Sequence, residues 1–152
     1  MDVRLTLGAT RRRAIERLVA EWGDPIRAHG QAYAIGDCHI YMAGDMAGVA
    51  AVSLRDKPIA ELVAINAFLP RLGIGTALLA AITPALTGCD TLRLTTTNDN
   101  VDALRFYQRR GFRLHALRPG AVDEARRLKP DIPEVGDHGI PLRDEIDLVL
   151  RL

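Results

Sequence analysis

Apolar and polar positions recur along the chain at two different spacings, and these spacings predict its helices and strands. An apolar stripe at helical spacing runs through residues 14–22 and predicts a helix that ends near Gly23. A short first strand from Val3 to Leu7 is expected before it. A loop through Pro25 and Gly30 is expected after it, because proline and glycine interrupt regular structure.

Three apolar runs then follow one another with only short polar, glycine or proline breaks between them. Their sequences are CHIYMA, MAGVAAVSLR and IAELVAINAF. Short breaks of this kind between apolar runs are typical of β-hairpins. This stretch therefore predicts three consecutive antiparallel strands.

The second half of the chain alternates between helical and strand patterns. A helix is expected from Gly73 to about Leu86, with Pro84 kinking it or ending it early. The segments TLRLTTT, FRLHAL and EIDLVLRL are typical of strands, VDALRFYQRR of a helix that ends before Gly111, and 121–128 of a short helix. The order αβββαβαβ predicts an α/β (α+β) fold in which a mixed, mostly antiparallel central sheet carries helices on both faces, in a single domain over 1–152.

Composition and charge restrict the function classes. Hydrophobic residues make up 48% of the chain and charged residues 26%, and the formal net charge is +1, which favours a globular protein without nucleic-acid or membrane partners. The start of the chain lacks an apolar stretch of the signal-peptide kind, so a cytoplasmic protein is expected. Cys38 and Cys89 match no metal or CxxC spacing, and two reduced thiols are expected rather than a disulfide.

The segment LPRLGIGTALL places two glycines at the start of a predicted helix. Without β-carbons at Gly73 and Gly75, backbone N–H groups can approach a phosphate at the positive end of the helix dipole, and Arg71 can add a charged contact. The alternative is that the glycines serve only a tight turn. The motif lacks the third glycine of a dinucleotide turn and the Gly-Lys-Ser/Thr of a P-loop, so neither NAD nor ATP is favoured.

The segment NVDALRFYQRRGF aligns an amide, a small side chain and a phenol. Asn100, Ala103 and Tyr107 share one helix face, because residues seven apart on a helix differ by only about 20° of rotation. This face could bind a ligand. The alternative is a buried structural tyrosine whose hydroxyl meets a backbone carbonyl.

Glu61 is a lone acid in an otherwise apolar predicted strand. A partly buried carboxyl group can serve as a general base, because burial raises its pKa. The alternative is an exposed residue of an edge strand. The four histidines are scattered without ligand spacing, so no metal is expected.

Together, LGIGTALL followed by TTNDNVDALRFYQRRGF resembles motifs A and B of the GNAT superfamily of acyl-CoA-dependent N-acetyltransferases. The resemblance covers about two thirds of the chain, and the tail resembles that of a bacterial subgroup. It implies a pyrophosphate cradle, pairing of a strand end with the pantetheine arm, a hydrogen bond to the cofactor, and a phenol near the sulfur. In this resemblance the cradle is formed by Leu72, Gly73, Ile74, Gly75 and Thr76 together with Arg71. Ile65 and Asn66 pair with the pantetheine arm. Asn100, with Ala103 beside it, bonds the cofactor, and Tyr107 supplies the phenol.

In the same resemblance Glu61 matches the general-base position of many members. One departure is Pro70, which stands where the family usually has Gln or Arg three residues before the first glycine of the motif. Arginine comes one position later, at Arg71.

The resemblance implies an acetyl-CoA-dependent acyltransferase that transfers an acetyl group to a small-molecule or peptide amine. We expect direct attack in a ternary complex, because neither cysteine lies in a recognised nucleophile context. Two alternatives stay open: a non-catalytic acyl-CoA-binding or regulatory module, and a partner module that works through an edge strand or a homodimer interface. The chain is rich in loops over residues 118–143, here called the late loop. Its polar residues, among them Arg126, Asp137 and His138, could line an acceptor pocket or lie in solvent.

Overall fold

The computed structural model describes residues 1–70 and 72–152, and its helices and strands follow the predicted order closely. Their bounds are β1 Val3–Leu5, α1 Gly8–Trp22, β2 Ile26–Ala28, β3 Gln31–Tyr33, β4 His39–Ala43, β5 Gly48–Ser53, β6 Ile59–Ala67, α2 Ile74–Ala85, β7 Thr91–Thr97, α3 Val101–Gln108, β8 Arg113–Arg118, α4 Ala121–Leu128 and β9 Glu145–Arg151. Pro84 lies inside the last turn of α2, and the helix continues past it to Ala85, so the proline does not end the helix early.

Two units make up the chain. One comprises residues 1–92 with Leu152, and the other comprises residues 93–151. The boundary between them falls inside β7. The single domain expected over residues 1–152 stays a prediction.

The sheet of the first unit has the strand order β1-β4-β5-β6, and its neighbouring strands are antiparallel. Val49 packs in an apolar cluster with Ala14 and Leu18 of α1. Gly48 faces Ile74 of α2 instead. Because successive residues of a strand point to opposite faces, α1 and α2 cover opposite faces of this sheet.

One stretch of the first unit differs from its prediction. The expected loop through Pro25 and Gly30 contains a hairpin in which β2 pairs with β3, Ala28 lying opposite Gln31. His29 and Gly30 form the connection and have φ values of 41° and 77°. Both positive angles fit a two-residue type I′ turn. The hairpin was missed because its strands have only three residues each.

The second unit has the strand order β7-β9-β8, and β8 and β9 are antiparallel. A buried carboxylate, Asp147 of β9, links all three strands. Thr95 donates to it at 2.7 Å, and the Arg118 guanidinium donates to its two oxygens at 2.6 and 2.8 Å. A buried charge is stable only when its oxygens are paired in this way.

The mixed α/β fold with a mostly antiparallel sheet is thus confirmed. Cys38 is buried and Cys89 is half-buried, and both are free thiols in this structure.

The packing of α2 on β5 gives a stability prediction. A β-carbon at Gly48 would overlap Ile74 Cγ2 and lie 3.1 Å from the carbonyl oxygen of Asn66. We expect Gly48→Ala to lower the free energy of unfolding by about 1–3 kcal/mol, as overpacking does. Urea unfolding measures this change.

The matched control is Gly36→Ala, because a β-carbon at Gly36 has no heavy atom within 4 Å. We expect Gly36→Ala to change the free energy of unfolding by no more than about 0.5 kcal/mol. Any gain in stability would come from alanine restricting the unfolded chain. Equal losses in the two variants would contradict the role given to Gly48.

Candidate functional site

In the first unit, the predicted cofactor residues lie at the end of β6 and the start of α2. Ile65 and Asn66 are half-buried and lie opposite Ala50 and Val49 of β5. The β5–β6 register shifts by one residue before them, so that Val63 is the extra residue of a bulge. A bulge interrupts regular pairing and re-aims the strand that carries it.

Helix α2 begins at Ile74, after a glycine in left-handed conformation. Gly73 has φ 68° and ψ 23°, and no side chain caps the helix. The first helical hydrogen bond runs from Ala77 N to Gly73 O at 2.9 Å. The N–H groups of a first helical turn lack partners four residues earlier in the helix, and they carry the positive end of its dipole.

Side chains around this turn divide into buried and exposed ones. Ile74 is buried against β5, whereas Leu72, Gly73 and Thr76 are exposed and Gly75 is half-buried. A β-carbon at Gly73 would meet no heavy atom of the described residues within 4 Å, so these residues leave the surface above the turn open. The backbone here can therefore meet a phosphate, as the resemblance implies. Arg71 lies outside the described residues.

Glu61 is buried, with 2% of its side chain exposed, and it lies against the β2–β3 hairpin. Its Oε1 is 3.2 Å from Nε2 of His29, and the Tyr33 hydroxyl is 3.0 Å from the same nitrogen. The expectation of a partly buried acid fits this position better than that of an exposed edge residue. His29 and Tyr33 were not among the predicted site residues.

In the second unit, Asn100, Ala103 and Tyr107 follow one face of α3 as predicted. Asn100 is the N-cap of the helix: its Oδ1 accepts from Ala103 N at 3.3 Å, and its Nδ2 donates to Thr96 Oγ1 at 3.2 Å. Both the oxygen and the nitrogen of the Asn100 amide thus form hydrogen bonds within the protein. Its predicted hydrogen bond to a cofactor stays a prediction.

Tyr107 is buried beside two aromatic rings. Its ring packs edge-on against Phe106 and Phe112, with centroids 5.2 and 5.3 Å away. Burial raises the pKa of its phenol well above the ordinary value. Tyr107 is thus buried, as the structural alternative expects. Among the described residues, however, no backbone carbonyl accepts a hydrogen bond from its hydroxyl.

The late loop of the second unit is held by buried polar groups. Arg126 donates to the carbonyl oxygens of Ile132, Pro133 and Leu142. Asp99 accepts from the backbone N–H of Asp137 at 2.9 Å. Arg126 is therefore only 12% exposed and holds the late loop; its place in an acceptor pocket stays a prediction.

A cavity in the first unit also escaped prediction. It has a volume of about 450 Å³, and its lining includes Tyr33, Asp37, Cys38 and Arg55. The Arg55 guanidinium lies 4.2 Å from the centre of the Tyr33 ring. No simple spacing rule could have found this cavity, because its lining comes from four separate segments.

Residues 1–70 and 72–152 contain neither a candidate metal site nor a candidate membrane-spanning helix. No three His, Cys, Asp or Glu side chains in that part of the chain are grouped so that they could hold a metal ion. No helix there has the length and apolar character needed to cross a membrane.

Comparisons with known proteins show which proteins this chain is similar to. The model of the acetyltransferase (GNAT) family matches residues 8–112. The uncharacterized protein YdhI of Bacillus subtilis (strain 168) is 42% identical over 106 residues, which are 68% of this chain and 66% of that protein, just under two thirds of its length. The uncharacterized N-acetyltransferase YvbK of the same organism is 33% identical over 122 residues, 77% of this chain and 76% of that one.

A solved structure shows a similar fold. The GNAT family acetyltransferase from Elizabethkingia anophelis, crystallised with acetyl-CoA bound, superimposes with a TM-score of 0.73 at 19% identity over 99% of this chain and 97% of that chain. At this identity the likeness concerns the fold. The family model covers more than half of the chain, and we conclude that the chain belongs to the acetyltransferase (GNAT) family.

Proposed function

We propose that this protein is an N-acetyltransferase that transfers the acetyl group of acetyl-CoA to an amine. The observation that carries the proposal is the open first turn of α2, where an exposed, left-handed Gly73 precedes a helix whose position Gly48 fixes. Membership of the GNAT family, and the acetyl-CoA bound in the structural neighbour, support acetyl-CoA as the ligand.

In this proposal the backbone around residues 72–76 binds the pyrophosphate of the cofactor. Two or more N–H groups at one helix end form a suitable anion site, because they are directed donors at the positive end of the dipole. Ile65 and Asn66 are proposed to pair with the pantetheine arm through their backbone.

The acceptor must be neutral when it attacks the thioester. For a lysine-like amine, deprotonation at pH 7 requires about 4.6 kcal/mol, against about 1 kcal/mol for an α-amine. A general base near Glu61 would therefore matter more for the first class of acceptor.

Direct transfer in a ternary complex is proposed, without an acyl-enzyme. Burial, with the Asp37 charge as a second cause, raises the pKa of the Cys38 thiol to about 11. A thiol that stays protonated at neutral pH is a poor nucleophile. Cys89 is half-buried and has no recorded histidine partner among the described residues.

Tyr107 is the proposed hydrogen-bond donor to the leaving thiolate. Because burial raises its pKa, the phenol stays neutral and keeps its proton available throughout the working pH range. The raised pKa favours a strong hydrogen bond over complete proton transfer to sulfur.

The non-catalytic alternative is favoured by one observation, the use of both the oxygen and the nitrogen of the Asn100 amide in bonds within the protein. A binding module would keep the α2 turn but transfer no acetyl group. A thiol-release assay with acetyl-CoA and a panel of small amines, peptides and aminoglycosides separates the two. We expect amine-dependent thiol release; cofactor binding without release by any amine would favour the module.

The Gly73 turn gives a prediction on affinity. We expect Gly73→Val to weaken acetyl-CoA binding by about tenfold or more in calorimetry, because a β-branched residue resists positive φ and displaces the first N–H groups. Gly120→Val is the matched control, since Gly120 also precedes a helix with a φ of 76° and open surroundings. Both variants carry similar backbone strain, and equal affinities would contradict the cradle.

Tyr107 gives a prediction on rate. We expect Tyr107→Phe to lower kcat by about 10²-fold with little change in acetyl-CoA affinity, because only the transition state needs the donor. Tyr41→Phe, another buried phenol whose pKa is raised by burial, should leave kcat unchanged. An unaltered kcat in Tyr107→Phe would return this residue to a purely structural role.

A further inference from the structure

The cluster formed by Glu61, His29 and Tyr33 contains one member that solvent can reach. Glu61 and Tyr33 are each 2% exposed, whereas the His29 side chain is 13% exposed. A carboxylate as buried as Glu61 has little surface to offer an acceptor amine. The His29 imidazole beside it has more exposed surface.

With an ionised Glu61, the hydrogen bonds of the cluster place the proton of a neutral His29 ring on Nε2. Both recorded bonds use Nε2, at 3.2 Å from Glu61 Oε1 and 3.0 Å from the Tyr33 hydroxyl. An ionised carboxylate can only accept, so Nε2 must supply the hydrogen between them. In the neutral ring this leaves a lone pair on Nδ1, which can take up a proton.

The backbone at His29 adds a second, independent observation. His29 has a φ of 41° in a two-residue turn with Gly30. Asn-Gly is the sequence that such a turn favours most. A non-glycine residue at positive φ is uncommon and is a reason to look for function.

We infer that His29 is the general base of the proposed reaction: Nδ1 takes the proton of the acceptor amine, and Glu61 is a positioning residue that holds the ring. The inference rests on the proposed function and changes the role first expected for Glu61. As the amine nitrogen bonds to the acetyl carbon, one N–H proton passes to Nδ1. The C–S bond then breaks with its electron pair going to sulfur; the thiolate accepts a hydrogen bond from Tyr107 and takes a proton from solvent, and the imidazolium returns its proton to solvent.

The charges around the ring support this role. On β6, the Glu61 carboxylate lies 3.2 Å from Nε2 of the ring. On β3, Tyr33 contacts the same nitrogen, and the guanidinium of Arg55 lies over the Tyr33 ring. Among the described residues, Glu61 is the charged group within ion-pair distance of the imidazole, and opposite charges at this distance attract.

The test replaces the ring while keeping the turn. In His29→Asn the hairpin acquires the favoured Asn-Gly turn sequence. We expect the fold and the acetyl-CoA affinity to be retained, with a lower Tm because the buried Glu61 loses its contact with the imidazole. With an amine that the wild type acetylates, kcat should fall by about 10²- to 10⁴-fold. His115→Asn, at an exposed histidine of β8, should leave kcat unchanged.

Added imidazole gives a sharper readout. In His29→Gly the positive φ is retained and a cavity replaces the ring, so imidazole in solution should restore part of the lost rate. It should not do so in Glu61→Gln, where the ring is still present. Wild-type kcat in His29→Asn together with a large loss in Glu61→Gln would overturn the inference and return the base to Glu61.

An NMR measurement tests the inference even if no acceptor is found. Long-range ¹⁵N–¹H spectra of the wild type, assigned with His29→Asn, should show the neutral His29 ring protonated on Nε2. A ring protonated on Nδ1 would overturn the inference whatever the activity. Failure of the proposed function is a separate result, namely no thiol release by the wild type with any amine.

Discussion

Helix α2 rests on strand β5 because Gly48 presents no side chain to Ile74. This contact fixes where the helix begins, and it keeps the side chain of Ile74 in the core while its neighbours Gly73 and Gly75 stay at or near the surface. The first turn can then offer backbone N–H groups without a side chain above them. Phosphate binding in this family member is thus proposed to depend on main-chain geometry, which a change of surface side chains would alter little.

The second constraint is the presence of a carboxylate inside the first unit. An isolated charge in an apolar interior is unstable by several kcal/mol, so Glu61 needs a partner. The β2–β3 hairpin supplies it through His29, and Arg55 supports the hairpin by donating to Ala32 O at 3.0 Å and covering Tyr33. A hairpin of three-residue strands is marginal alone. The buried pair and the hairpin therefore stabilise each other.

Much of the fold could be predicted because its longer strands and helices carry clear apolar periods. The runs that became β4, β5 and β6 were recognised with nearly correct bounds, and Gly73 marked the start of α2. The β2–β3 hairpin could not be recognised, since three residues are too few to show an alternation and His-Gly is an unusual turn sequence. The bulge at Val63 also breaks the alternation of side chains along β6, so the sequence alone does not show which face of the sheet Glu61 occupies.

The site was predictable only where one segment carries it. The α2 turn and the α3 face are local patterns, and a family resemblance could assign them. Asn100 precedes a helix in the position where asparagine often caps, so its capping role could have been read from the sequence. The pairing of His29 with Glu61, 32 residues apart, depends on how the hairpin folds back onto β6, and no spacing rule contains that information.

The most direct test of the account is a titration of ¹⁵N-labelled protein with coenzyme A, followed through backbone amide chemical shifts. The account predicts that the amides of Gly73, Ile74, Gly75 and Thr76 shift most as the site fills, since they are the proposed ligands of the diphosphate. Saturable binding that leaves these four amides unmoved would contradict it.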